Sequence, residues 1–217
     1  MIHILTLFNK PDLVKEAIAS VEAQTRRDLL HVVQEDKDRD WGDNYPPAVF
    51  YNEQARLAAS GDYICWLSDD DLLKPDYCEL LAGYLDAHSE VGCCYSGAIR
   101  NLRDAKGKEW EYCRYEAIET WGQTNLPGGH IDGGQMMVRR SILDQIPYPY
   151  TPEAIGDCNN LADALLMDRI ACICDLVPVP GWVMTIRSTT QSSHMICSAK
   201  GGLQSVNWRQ RDGRSKC

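Results

Sequence analysis

The 217-residue chain has no apolar run approaching the roughly 20 residues that a bilayer-spanning helix needs. Met1 leads straight into Ile-His-Ile-Leu, with neither the basic start nor the small-residue cleavage site of a secretory leader. Both absences lead to the expectation of a cytoplasmic protein. No CxxC pair exists among the ten cysteines (65, 78, 93, 94, 113, 158, 172, 174, 197 and 217), so a zinc site is unsupported. Reduced thiols packed as small hydrophobes are expected instead. No internal repeat, low-complexity tract or linker divides the sequence, so one domain over residues 1–199 is expected. Positive charge is in short supply: 22 Lys and Arg against 31 Asp and Glu, a net charge of −9, which argues against a general nucleic-acid coat. The exception is residues 200–217, where Lys200, Arg209, Arg211, Arg214 and Lys216 face one acid, Asp212. This basic C-terminal tail reads either as a solvated end or as a lid over an anionic ligand.

What is present is alternation. Residues 2–8 read as a buried strand, and Leu13, Val14, Ala17, Ile18 and Val21 form the apolar stripe of a helix with Asp12 as its N-cap. Strand signals recur at Leu29–Val33, Tyr63–Leu67 and Val91–Tyr95. Between them lie helix signals at about 48–60, opened by Pro46-Pro47, and after Pro75. This order predicts an α/β fold with a mostly parallel central sheet and right-handed crossovers. The second half is less regular. Residues 109–118 alternate weakly, Gln135–Val138 reads as a short strand, and Ser141 is expected to cap a helix to Ile146. Ala162–Cys174 reads as a helix and Val177–Ile186 as a strand interrupted at Pro178 and Pro180.

In such sheets ligands bind beyond the carboxyl ends of the strands. The second strand runs into Glu35-Asp36 and the third into Ser68-Asp69-Asp70-Asp71, which puts two acidic groups on one rim. Three consecutive carboxylates repel unless a cation or hydrogen-bond donors neutralise them. Carboxylate oxygens suit Mn²⁺ and Mg²⁺, and Mg²⁺ is usually shared between one or two carboxylates and a substrate phosphate. A divalent ion held with a phosphate ligand is therefore one reading; a solvated acidic loop in which Asp71 caps a helix is the other.

The segments Leu5-Thr6-Leu7-Phe8-Asn9-Lys10, Ala17 to Thr25, Asn52-Glu53-Gln54-Ala55, Gly61-Asp62-Tyr63-Ile64 and Leu67-Ser68-Asp69-Asp70-Asp71, with Pro75 four residues on, stand in an informative order. As a set they resemble the family-two inverting glycosyltransferases of GT-A fold, and in particular the spore-coat polysaccharide biosynthesis type. The resemblance is strong over residues 2–97 and weaker over 130–187. It implies a nucleotide-binding half, 1–97, and an acceptor and catalytic half, 98–199.

The resemblance also implies roles. Thr6, Glu35 and Asp36 would hold the base and ribose of a nucleotide-sugar donor, a UDP-sugar favoured. The family's usual Asp-Asp is here Glu35-Asp36, which leaves the base open. Phe8, Asn9, Asn52, Arg56, Ser68, Asp69 and Gly134 would complete the donor pocket. Asp70, with Asp71 and His194, would hold Mn²⁺ or Mg²⁺; the literal D-x-D is Asp69-x-Asp71, whereas alignment on Pro75 favours Asp70. The base that deprotonates the acceptor would be Asp157 or Asp163, the latter followed by Arg169 and Arg187. A glycan, a lipid-linked sugar, a protein or a modified nucleic-acid base is the acceptor class, and the small size points to a compact acceptor, a partner subunit or a homodimer. A nucleotidyltransferase is disfavoured because Phe8-Asn9-Lys10-Pro11 is not the Gly-rich loop such enzymes carry after strand one. An inactive sugar-nucleotide-binding subunit is the non-enzymatic alternative.

Overall fold

A computed structural model describes residues 1–36, 46–59, 61–104, 106–117, 131–146 and 162–188. Its inner strands at residues 2–8 and 63–66 are mostly apolar because both of their faces are covered. In β1 (Ile2–Phe8), Ile2 and Ile4 enter one core with Ala17 and Val21 of α1 (Val14–Glu22), and Leu5 enters another with Ala55 and Ala58 at the end of α2 (Pro46–Leu57). Strand β3 (Tyr63–Trp66) divides in the same way, with Tyr63 and Cys65 facing the first core and Ile64 and Trp66 the second. Helix α3 (Tyr77–Ala87) covers the first core through Tyr77, Leu81 and Leu85; α5 (Ala162–Ile173) covers the second through Leu166, Met167 and Ile170. The result is a three-layer α/β/α arrangement.

The adjacent cysteines follow this rule. Cys93 and Cys94 open β5 (Cys93–Arg103) and point into opposite cores, and burial pushes the Cys94 thiol up to about 12. Six described cysteines are free, as expected, but Cys172 is disulfide-bonded, which corrects the expectation of uniformly reduced thiols.

Among the described residues the sheet has eight strands, in the order β2-β1-β3-β7-β5-β8-β4, with β6 paired to β5. Here β2 is Leu29–Glu35, β4 Leu72–Leu73, β6 Glu109–Tyr115, β7 Met136–Arg139 and β8 Leu176–Ser188. Strands β1, β2, β3, β5 and β8 run in one direction, and β4, β6 and β7 run against them. The parallel set β2-β1-β3 carries the acidic strand ends. Strand β8 is continuous despite Pro178 and Pro180, because the register with β5 shifts around Gly97, where Gly181 takes φ +132°. No described helix is long and apolar enough to cross a membrane.

Two helix starts differ from expectation. Helix α1 begins at Val14 with Leu13 as N-cap, because a turn on the Lys10 carbonyl precedes it; Asp12 is exposed and makes no cap bond. Helix α4 (Arg140–Leu143) begins before Ser141, so that serine lies inside the helix and caps nothing. Beyond α1, fully buried Gln24 joins two helices of the same layer. Its amide donates to Ser20 O (3.1 Å) and Lys74 O (2.7 Å) and accepts from Cys78 N (3.0 Å), tying α1 to the approach to α3.

Candidate active site

Strands β1, β2 and β3 are parallel neighbours, so their carboxyl ends meet at one edge. Phe8 is in register with Glu35, and Asp36 N donates to Phe8 O at 2.7 Å. The loop 67–71 leaves the end of β3 at the same edge and is held there by β4, which pairs with Met184 and Thr185 of β8. Asp36, Asp69, Asp70 and Asp71 are all buried, whereas Glu35 and Ser68 are exposed. Four buried carboxylates on one rim require compensation.

The three loop aspartates receive it differently. Asp69 Oδ2 accepts from Asn9 N and Lys10 N, both at 2.9 Å, so this carboxylate caps the turn after β1. Lys10 Nζ lies 3.1 Å from Asp69 Oδ1 and 2.7 Å from Asp70 Oδ2, a half-buried ammonium bridging the pair. Burial would lower the Lys10 pKa, but Asp70 and Asp69 outweigh it and hold it above the ordinary lysine value. Asp71 Oδ1 accepts from Arg187 N at 2.8 Å. Burial first, then the charges of Asp70 and Asp132, push Asp71 well above the usual carboxylate range.

Behind the loop, Arg187, expected only as a residue following Asp163, is part of a cluster with Glu16, Arg103 and Glu109 that was not foreseen. The fully buried Arg187 guanidinium donates to the Asp70 carbonyl and, at 2.5 Å, to Glu16 Oε2 of α1, with Glu109 Oε1 at 3.6 Å. Arg103 adds contacts of 3.1 Å to Glu16 and 3.5 Å to Glu109. Against the desolvation that would raise it, Arg103 and Arg187 hold the Glu16 carboxyl below its ordinary value. Asp132 was also missed. It caps the single 3₁₀ turn Gly133–Gln135, accepting from Gly134 N (3.0 Å), while Asp132 N donates to Gln135 Oε1 (2.8 Å). Asp132-x-x-Gln135 is a capping-box pattern, so this turn was readable.

Other expected residues fall as follows. Thr6 is buried, with Oγ1 3.0 Å from His31 Nε2. Gly134 faces protein: a Cβ there would meet Met184 Cε at 2.9 Å and Trp66 O at 3.3 Å. Asn52 and Arg56 are on α2, Arg56 in its last turn, and Asp163 and Arg169 are on α5. Asp157, His194 and the tail 200–217 lie outside the described residues. A cavity of about 370 Å³ between α1 and β2, lined by Ile18, Val21, Arg27, Leu29, His31 and Val33, contains none of the expected donor residues.

Burial pushes His31 down to about 4. Its unfolded value lies near 6.5, so the unfolded chain binds the extra proton between these values. This contribution to stability is therefore present above about pH 6.5 and is lost as pH falls toward 4. His31→Gln is expected to flatten that limb of a urea-stability profile; an unchanged slope between pH 6.5 and 4 would refute the assignment.

Among the described residues no group of three or more His, Cys, Asp or Glu is arranged to hold a metal ion by itself. The donor set nevertheless fits a shared ion: hard carboxylate oxygens at a strand end, with a lysine ammonium standing where a cation is called for.

Residues 51–147 match the family model described as "Glycosyl transferase family 2". An uncharacterized glycosyltransferase of Rickettsia conorii is 24% identical over 140 residues, covering 57% of this chain and 23% of the relative. One from Rickettsia felis is 23% identical over 165 residues, covering 66% and 27%. This chain thus spans about a quarter of the curated relatives it matches. Among solved structures, S. aureus TarS 1–349 aligns with TM-score 0.59 and 13% identity, over 86% of this chain and 60% of that one. The mannosyltransferase PcManGT from Pyrobaculum calidifontis, in complex with GDP-Man and Mn²⁺, aligns with TM-score 0.56 and 13% identity, over 90% and 59%. These likenesses establish the fold as that of GT-A glycosyltransferases.

Proposed function

We propose that this chain, whose residues 51–147 match the glycosyl transferase family 2 model, transfers a sugar from a nucleotide-diphosphate sugar to a hydroxyl acceptor, with inversion and with Mn²⁺ or Mg²⁺. The observation that carries the reading is the buried Asp69-Asp70-Asp71 loop, set on the same sheet edge as Asp36 and compensated by Lys10 and Arg187. A UDP-sugar is the favoured donor. One solved TarS structure is a complex with UDP-GlcNAc and PcManGT is a complex with GDP-Man, so the base is chosen by test rather than by fold.

In this mechanism Asp36 and Glu35 face the nucleoside end of the donor, and Asp70 faces its diphosphate. A divalent ion, when bound, neutralises the charge that builds on the leaving diphosphate. The acceptor oxygen forms a bond to the anomeric carbon as the bond from that carbon to the diphosphate oxygen breaks. The acceptor proton passes to a carboxylate, Asp157 being the first choice and Asp163 the second. Arg187 acts from behind, fixing the backbone of the acidic loop through the Asp70 carbonyl. The division into a donor half, 1–97, and an acceptor half, 98–199, belongs to this proposal, as do the basic tail, His194 and a cytoplasmic setting.

A thermal-shift screen of nucleotide sugars with Mn²⁺ or EDTA tests the reading. A donor at a hundred times its Kd adds about 2.7 kcal/mol of stability, enough for a clear rise in Tm. One donor class should give that rise with Mn²⁺ and lose it with EDTA, and a screened acceptor should release the nucleoside diphosphate. Asp157→Asn should keep the shift and lower transfer by about 10²–10⁴-fold. If Asp163→Asn does so instead, the base is Asp163. No shift with any nucleotide sugar would overturn the function.

A further inference from the structure

We propose that Lys10 is a built-in counter-cation that competes with the divalent ion for Asp70, so that ion and donor diphosphate bind cooperatively. This rests on the glycosyltransferase reading above.

The contacts of Lys10 divide into two sets. Its backbone N–H, with that of Asn9, binds Asp69 Oδ2, both at 2.9 Å. Its ammonium binds Asp70 Oδ2 at 2.7 Å and Asp69 Oδ1 at 3.1 Å. The main-chain contacts fix the turn whether or not the ammonium stays. The ammonium ends a flexible four-carbon stem and can move without disturbing the loop. Its side chain is 14% exposed and those of Asp69 and Asp70 are 8% and 10% exposed, so this pairing is shielded from bulk water.

A divalent ion that takes Asp70 meets an ammonium already on the same oxygen. The two cations repel, and in a shielded site they repel strongly. Alone, the ion must either share the carboxylate with Lys10 or displace the ammonium from it, leaving Lys10 only its longer 3.1 Å contact with Asp69. A diphosphate changes this balance, since its oxygens receive the displaced ammonium and bridge to the ion as well. The ion's affinity therefore rises when a nucleoside diphosphate is present, and by linkage the nucleotide's affinity rises equally with the ion. Asp69 stays on the turn throughout, which separates its role from that of Asp70. The consequence is a site that neither metal nor nucleotide fills tightly alone.

Mn²⁺ binding by the full chain, followed by loss of the free-ion electron paramagnetic resonance signal, tests this. The titrations use Mn²⁺ alone and Mn²⁺ with UDP or GDP, corrected for Mn²⁺ bound by nucleotide in solution. Wild type should bind Mn²⁺ weakly alone and about tenfold or more tightly with the matching nucleotide, within the usual range for coupled sites. Lys10→Met and Lys10→Gln should bind Mn²⁺ alone about tenfold more tightly than wild type and show a smaller enhancement by nucleotide, the part that comes from the diphosphate's own attraction for the ion. Lys10→Arg, which keeps the charge, should remain weak alone. Circular dichroism and Tm show that each variant is folded, and two neutral replacements guard against failure of one. If folded Lys10→Met and Lys10→Gln bind Mn²⁺ no better than wild type while nucleotide still enhances binding, this proposal fails alone. If no form binds Mn²⁺ even with UDP and GDP, it fails together with the reading on which it rests.

Discussion

Asp70→Asn is expected to abolish divalent-dependent donor binding and leave a folded protein. The substitution keeps the shape of the side chain and removes one charge. The Asp70 carbonyl, which holds Arg187, is untouched. Asp70 also raises the pKa values of Asp71 and Asp132, so its neutralisation relieves repulsion within the buried cluster and offsets the lost pairing with Lys10. The Tm without ligand should therefore change little. The ligand-induced rise should disappear, because the carboxylate proposed to share the ion with the diphosphate is gone. At a donor concentration that gives wild type about 2.7 kcal/mol, the variant should gain none. Asp69→Asn is the informative contrast. Asp69 accepts two backbone N–H groups and the Lys10 ammonium, so its replacement should lower Tm in the absence of any ligand. Calorimetry with and without Mn²⁺ separates the two. Metal-dependent donor binding retained by Asp70→Asn would show that the ion is held elsewhere.

Alignment on Pro75 favours Asp70 for the ion, but the sequence could not show how the three carboxylates differ in their surroundings. Three adjacent carboxylates are chemically identical on paper. They are told apart by partners 59 to 116 residues away: the Asn9–Lys10 turn for Asp69, the Lys10 ammonium for Asp70, the Arg187 N–H for Asp71. By contrast, the parallel strands β1, β2 and β3 were legible as short apolar runs, with β2 and β3 leading into acids. Strand β6 was ambiguous since it lies outermost on β5 with Trp110 and Tyr112 exposed, which blurs the alternation. Strand β8 seemed broken because its prolines withhold N–H groups, a loss that the register shifts beside Gly97 absorb. Asp12 misled because local propensity marks a cap, whereas the turn set by Lys10 O decides where α1 begins. Lys10 itself was quoted within a motif and given no role. Nothing local predicts that a lysine beside a turn will be held against acids 60 residues on.

Arg187 shows how much the acidic loop depends on the rest of the fold. Its guanidinium is fully buried and joins the Asp70 carbonyl on the loop, Glu16 on α1 and, at 3.6 Å, Glu109 on β6. Arg187→Met fills much the same volume with no donors. Glu16 then keeps Arg103 at 3.1 Å, and its partial exposure lets water replace part of what it loses. The Asp70 carbonyl loses the guanidinium outright. Breaking a buried pair from one side costs 3–5 kcal/mol, and the exposure of Glu16 puts the expectation at about 3 kcal/mol. For a chain of this size that is a fall in Tm of about 6–12 °C. Arg187→Lys should recover only part of it, because a single ammonium cannot reach the Asp70 carbonyl and Glu16 with the fixed fork of a guanidinium. Donor affinity should fall along with stability in Arg187→Met, since the Asp70 carboxylate is aimed by the backbone that Arg187 holds. Glu16→Gln should cost less in the Arg187→Met background than in wild type, so a double-mutant cycle gives a clear coupling. A Tm within about 2 °C of wild type for Arg187→Met would mean that the loop is fixed by other contacts, and the supporting role assigned to Arg187 would be lost.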